Sequence, residues 1–185
     1  LESFVLIIHD YAIREEENMK NNKTSIEGFE IRFAVKADVP LILKYIKELA
    51  DYEQLLHEVV ATESILQASL FEKKQAEVII AEYQGEPVGF ALFFHNFSTF
   101  LGKANLYLED LYVTPAMRGK GFGKIMLAYL GKIAVERGCG RLDWWCLDWN
   151  KTSIEFYKEM GAIPMDEWTV YRVEGEKLAS LAKKI

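Results

Sequence analysis

Hydrophobic and polar residues alternate along this chain in two different rhythms. In "FEIRFAV", residues 29–35, apolar side chains fall on every second position, the spacing of a strand with one buried face. After Asp38, read as a helix cap, the spacing lengthens: Leu41, Tyr45, Ile46 and Leu49 form one stripe of a helix. "TESI" predicts a second helix capped by Thr62, with Ile65, Leu66 and Leu70 on its apolar side. "AEVIIAEYQGEPVGFALFFHNF" at 76–97 holds two apolar runs around the turn residues Gln84, Gly85, Glu86 and Pro87, a hairpin pattern. "KANLYLEDLYV" at 103–113 is the next strand.

The second half continues in the same way. A helix is expected from about Gly119 to Arg137, buried through Ile125, Leu127, Leu130, Ile133 and Ala134. "RLDWWCL" at 141–147 predicts a strand, and "NKTSIEFYKEMGA" a short helix that starts at Asn150 and stops at Gly161. "WTVYRVE" at 168–174 reads as a last strand and "GEKLASLAKKI" as a helix or tail. The order β-α-α-β-β-β-α-β-α-β predicts an α/β fold of one domain, a mixed and mostly antiparallel twisted sheet with helices on both faces. That domain spans 26–185. Residues 1–25 are set apart as an extension, with a polar linker from Arg14 to Ser25. Either residues 1–18 are an extension upstream of a true start at Met19, or residues 3–13 form an extra strand or helix that packs on a partner. The short run "FVLII" has neither the basic flank nor the length of a secretory signal.

Composition narrows the function classes. Half the residues are hydrophobic, enough for a real core. A net charge of −6 argues against nucleic acid and anionic membrane as partners. It fits a cationic substrate and equally an ordinary soluble cytoplasmic protein. Cys139 and Cys146 match no zinc or redox spacing, and His9, His57 and His95 are scattered, so no metal is expected. No apolar run approaches the roughly 18 residues of a membrane span.

The stretch Arg118-Gly119-Lys120-Gly121-Phe122-Gly123 follows a strand and opens a strongly patterned helix. A helix N-terminus presents unpaired amides and a positive dipole end, and glycines let a phosphate approach them without meeting a Cβ. Arg118, Lys120 and Lys124 add charge. No Ser or Thr follows a Gly-Lys pair to hold magnesium, and the dinucleotide fingerprint is not matched either. On these residues alone, two readings stand: a phosphate seat, or a turn that only starts a helix.

The loop nevertheless resembles the acetyl-CoA pyrophosphate loop of the GNAT superfamily of N-acetyltransferases, through Arg118, Gly121 and Gly123 after "YLEDLYV". The element order is similar over roughly residues 28–174. Further marks resemble the spermidine/spermine (diamine or thialysine) N-acetyltransferase branch: "IKELADYE" (46–53), "RGKGFG" (118–123), "WNKTSIEFYKEMGA" (149–162) and "EW" at 167–168. The resemblance implies acetyl-CoA as cosubstrate and direct transfer to a primary amine of a small molecule, a polyamine, diamine or thialysine-like amino acid. Alternatives are a protein or peptide acceptor, or a non-catalytic CoA-binding module. Family members are usually dimers, and the last strand would supply an exchanged edge.

Amide formation from a thioester meets two proton problems. An alkylamine near pH 7 is only about 0.1% neutral, a deficit of roughly 4 kcal/mol, and the thiolate leaving group needs a proton. The resemblance implies that Glu109 takes the amine proton through water and that Tyr157 protonates the sulfur. By itself a helical Phe-Tyr pair is more often packing, and Glu109 and Asp110 are equally readable as surface charges. Strand alternation would let only one of those two carboxylates face the cleft. The same resemblance assigns cofactor contacts to Leu111, Tyr112 and Val113 on the strand, to Arg118, Gly119, Lys120, Gly121, Phe122, Gly123 and Lys124 in the loop, and to Asn150, Ser153 and Tyr157 on the short helix. Asn150 also suits a helix cap. Tyr52, Glu53, Glu109, Trp145 and Asp166 are the acceptor-side residues, with Asp166 also readable as part of a solvated acidic loop. "DWW" at 143–145 departs from the polyamine enzymes: Trp144 and Trp145 should face opposite ways, one narrowing the pocket, which favours shorter amines.

Overall fold

The computed structural model describes residues 24–185. The expectations for residues 3–13 and most of the 14–25 linker lie outside them. The chain divides into two units, one ending at Trp145 and one from Cys146 to Ile185.

The first unit holds a five-stranded sheet in the order β1-β2-β3-β4-β5. Its strands are β1 Phe29–Phe33, β2 Glu77–Tyr83, β3 Glu86–Ser98, β4 Lys103–Val113 and β5 Leu142–Trp144. Neighbours are antiparallel except for β4 and β5, which run parallel. The α/β class and the mixed sheet are as the sequence implied. The hairpin turn falls where Gln84 and Gly85 predicted it.

Alternation along the strands builds two cores. On one face, Val78, Ile80, Phe90 and Tyr112 pack with α1 (Val39–Tyr52) and α2 (Glu63–Gln67), the latter widening into a π turn at Ala68–Glu72. Tyr45 is the centre of that face, stacked 5.7 Å from Phe90 and tilted 5.6 Å from Tyr112. On the other face lies α3, Phe122–Glu136, whose first residue stacks on Phe29 with ring centres 4.1 Å apart. Tyr83 closes the same cluster at 5.1 Å from Phe122. The start of α3 is thereby pinned to the β1–β2 end of the sheet.

Local chemistry explains most element ends. Thr62 caps α2 as expected, its hydroxyl accepting from the Ile65 amide at 3.3 Å. Asp38 occupies the cap position of α1 but does not bond its amides. Its carboxylate instead accepts two bonds from Arg32, at 2.7 and 2.9 Å, and one from the Val35 amide at 2.8 Å. Arg32 also reaches Glu82 across β1–β2 at 2.7 Å, so a charged network outbids the cap. That network holds the Asp38 carboxyl below the usual range. The α3 helix starts three residues later than the periodicity suggested, because Gly119 and Gly121 sit at φ 77° and 83°, where no right-handed helix passes.

The second unit contains α4, Lys151–Glu159, and α5, Gly175–Ala182. Asn150 does cap α4, its side-chain oxygen accepting from the Ser153 amide at 3.2 Å. The strand expected at 168–174 does not form: the segment is irregular and exposed. Alternating apolar residues make a strand only where a neighbouring strand accepts the ladder, and among the described residues none pairs with this one. The strand expected at 141–147 likewise shortens to three residues.

Phe122→Ala should cost about 3–5 kcal/mol of stability by removing the buried ring from its stack on Phe29. Urea unfolding followed by fluorescence measures it.

Candidate active site

β4 runs beside β3 over its whole length, but beside β5 only from Leu106 to Leu108. Between those two facts sits a β-bulge. Ala91 pairs with Leu111 and Leu92 with Asp110, whereas Phe93 pairs with Leu108, so Glu109 is the extra residue. The bulge reverses which amides face which neighbour. The Leu106 amide donates toward β5, to the Arg141 carbonyl at 3.0 Å, while the Thr114 amide donates toward β3, to the Val88 carbonyl at 2.9 Å. In an unbroken strand residues of the same parity would point the same way. After the bulge, Leu111 and Val113 therefore turn their main-chain groups to the side that β5 has left. Among the described residues, no strand pairs there.

The bulge also resets the side chains. Asp110 lies opposite Leu92 on the α1–α2 face and is partly buried, while Glu109 is exposed. Burial, with the neighbouring charges of Glu109 and Glu53, pushes the Asp110 carboxyl up to about 7. Burial also raises Glu53, the residue after α1. Three carboxyls thus share one electrostatic neighbourhood. Strict alternation, which allowed only one of Glu109 and Asp110 to matter, fails at the bulge. The resemblance implied a role for Glu109 and none for Asp110, and an inserted residue leaves no trace in the hydrophobic pattern.

Tyr52, the residue before Glu53, meets Arg118. The Arg118 guanidinium lies 4.9 Å from the Tyr52 ring centre and 5.7 Å from that of Tyr112. Tyr112 is buried; its hydroxyl donates to Glu48 at 3.0 Å, and burial beside that carboxylate raises it to about 12. The Tyr112 side chain is therefore unavailable to a ligand, and so is the ring of Phe122, which lies in the core.

The loop from Pro115 to Gly121 begins with a 3-10 turn at Pro115–Met117 and ends at Gly121, the cap of α3. Among the described residues no side chain bonds the amides of the first turn of α3, and the first helical bond is that of the Ile125 amide to the Gly121 carbonyl, 3.1 Å. The amides of Phe122, Gly123 and Lys124 precede that bond and suit an anion. Lys120 rests 5.4 Å from the Tyr83 ring centre. Gly121, left-handed, keeps the approach open, since a side chain there would be strained.

Trp145 is 60% exposed, edge-on to Tyr107 at 5.9 Å, while Trp144 is partly buried at the end of β5. In the second unit, Asn150 is buried and Ser153 partly so, and the Tyr157 ring lies 5.2 Å from that of Phe156. Asp166 is exposed in the turn before Trp168. Among the described residues no cluster of His, Cys, Asp or Glu is placed to hold a metal. No described helix is long and apolar enough to cross a membrane.

Residues 44–162 match the acetyltransferase (GNAT) family. A thialysine N-epsilon-acetyltransferase from Bos taurus is 39% identical over 83% of this chain and 97% of its own. An L-ornithine N5-acetyltransferase from Arabidopsis thaliana is 33% identical over 83% of this chain and 87% of its own. Among solved structures, an integron cassette protein from V. cholerae superposes with a TM-score of 0.72 at 31% identity, covering 86% of this chain and all of that one.

The raised Asp110 carboxyl has a stability consequence. The unfolded chain loses this proton near pH 4, whereas the folded chain keeps it to about 7. Stability conferred by this group is full below pH 4 and falls as pH rises through that window. Asp110→Asn should therefore be more stable than the parent at pH 8, by on the order of 1–3 kcal/mol, and indistinguishable at pH 4. Urea titrations at the two pH values check the sign.

Proposed function

The chain belongs to the acetyltransferase (GNAT) family, and from that membership we propose that it transfers the acetyl group of acetyl-CoA to a primary amine of a small cationic molecule. The observation that carries this reading is the abandoned edge of β4 leading into the uncapped start of α3. A linear ligand with amide groups in its arm and a diphosphate at one end matches both in sequence. The Leu111 main chain and the Val113 amide offer strand-type hydrogen bonds, and the amides of Phe122, Gly123 and Lys124 receive the anion, with Gly119 and Gly121 shaping the loop. Lys120 and Lys124 supply positive charge.

The acceptor enters where the carboxyls gather. Glu53, Glu109 and Asp110 favour a cation, and Tyr52 and Trp145 give it flat apolar walls. Glu109, exposed at the bulge, takes the proton of the ammonium through water. The neutral amine then forms its bond to the acetyl carbon, an amide N–H near Leu111 bonding the carbonyl oxygen as charge develops there. As the carbon–sulfur bond breaks, the nitrogen releases its second proton to solvent, and Tyr157 gives its phenolic proton to the sulfur and recovers one from solvent. The products are an N-acetylated amine, CoA and one proton. Asn150 and Ser153 hold the start of the helix that carries Tyr157. The reading favours short diamines or amino acids with a terminal amine, in keeping with the thialysine and ornithine enzymes among its relatives. Asp166 is a secondary acceptor contact in this scheme.

A homodimer in the cytoplasm completes the proposal. The second unit exposes Trp168 (70%) and Tyr171 (90%) along with Val170 and Val173, apolar surface that a second copy would cover.

Thiol release from acetyl-CoA, followed with thialysine, L-ornithine, spermidine and a lysine peptide, tests the function. Activity on the first two is expected, and activity on the peptide alone would replace a small amine by a protein acceptor. Tyr157→Phe should lower kcat at least about tenfold with CoA affinity unchanged, and Glu109→Gln should lower kcat/KM by about 10²-fold at pH 7. Gly121→Asp should weaken CoA by about tenfold or more, through the left-handed backbone and repulsion of the diphosphate, as read by calorimetry.

A further inference from the structure

Arg118 is the arginine of the glycine-rich loop, and its charge alone would make it a diphosphate ligand. Its geometry says something else. Nε donates to the Val113 carbonyl at 3.0 Å, which folds the side chain back over β4. The guanidinium is then held against Tyr52 on one element and Tyr112 on another, 4.9 and 5.7 Å from the ring centres. Tyr112 is itself fixed, its hydroxyl bonded to Glu48 on α1 at 3.0 Å and its ring packed 5.6 Å from Tyr45. Tyr52 is the last residue of α1 and is followed by Glu53, whose charge reaches Asp110. One side chain therefore touches the loop that opens α3, the free edge of β4 and the end of α1.

We propose that Arg118 is a positioning residue that ties the acceptor end of α1 to the diphosphate loop, so that cofactor docking and amine binding strengthen each other. The inference rests on the acetyltransferase reading above. An anion on the loop immobilises residues 114–121, and with them the guanidinium that Tyr52 stacks on. The amine then meets an aromatic wall that is already ordered, and by linkage a bound amine favours the cofactor equally. Lysine cannot replace arginine in this role. It keeps a positive charge near the loop but lacks both the flat face that stacks on the rings and the Nε–H that bonds Val113.

R118K and R118Q test the tie, with CoA titrated calorimetrically in the absence and in the presence of L-ornithine, which reads the coupling, and KM measured for thialysine and L-ornithine at saturating acetyl-CoA. R118K should bind CoA within about twofold of the parent, because the charge remains. Its amine KM should rise roughly three- to tenfold with kcat nearly unchanged, and the parent's tighter amine binding in the presence of CoA should disappear. R118Q should show the same rise in KM together with weaker CoA. An R118K variant that loses CoA affinity while keeping the parent's amine KM makes Arg118 a phosphate ligand and overturns the tie. So does a variant that changes neither. The two readings fail separately: a parent chain active on either amine leaves the acetyltransferase reading intact whatever R118K does, whereas a parent that binds no CoA or acetylates neither amine overturns both.

Discussion

The structure of the site depends on one constraint: β4 must be fully paired on its β3 side and abandoned on its β5 side after Leu108. An unpaired strand edge is costly or hazardous unless something fills it, so a fold that exposes one between paired strands implies a guest. The bulge at Glu109 makes the edge usable. By inserting one residue it turns the amides of Leu111 and Val113 outward, moves Asp110 onto the α1–α2 face and leaves Glu109 in solvent. A single backbone irregularity thus sets the hydrogen-bonding edge, the buried acid and the exposed base together.

Charge then divides that edge into two ends. Glu53, Glu109 and Asp110 gather at one end, Lys120 and Lys124 follow β4 at the other, and Arg118 joins the two through its stack on Tyr52. The acidic end is not comfortable by itself. Asp110 holds its proton to about 7 because burial and two neighbouring carboxylates oppose its ionisation. A bound ammonium would relieve that opposition, so cation binding and Asp110 ionisation are linked. The basic end invites the opposite charge. A donor carrying a diphosphate and an acceptor carrying an ammonium are sorted along the strand by sign before any close contact is made.

How far the sequence carried these features depends on whether each is local. The strands of the first unit and the helices α1, α2, α3 and α4 were legible because each has a period and a cap or turn residue of its own: Thr62 and Asn150 bond the amides their positions predict. The loop was legible because glycines between a strand and a helix have few other uses. The illegible features are all tertiary. Asp38 has a cap's identity and position, yet Arg32 and Glu82 recruit its carboxylate from across the sheet. "WTVYRVE" has a strand's alternation and, among the described residues, no strand to pair with. Asp110 looked like half of an alternating pair until the bulge placed it. The stacking of Arg118 on Tyr52 joins residues 66 positions apart, which no local pattern records.

These two kinds of feature carry different parts of the activity. In the proposed function the donor is read mostly by main chain, through the amides of β4 and the first turn of α3, and the side chains there are either absent, as at Gly119 and Gly121, or turned into the core, as at Tyr112 and Phe122. Substitutions that keep the backbone leave such a site intact. In the same proposal the acceptor is read by side chains: Tyr52, Glu53, Asp110 and Trp145, none of which the sheet needs for its hydrogen bonds. A single substitution among them alters size or charge in the acceptor pocket without touching the donor's seat. Change in such a chain therefore reaches the amine before it reaches the cofactor, and the bulky Trp145 is where the choice between long and short amines is most exposed to it.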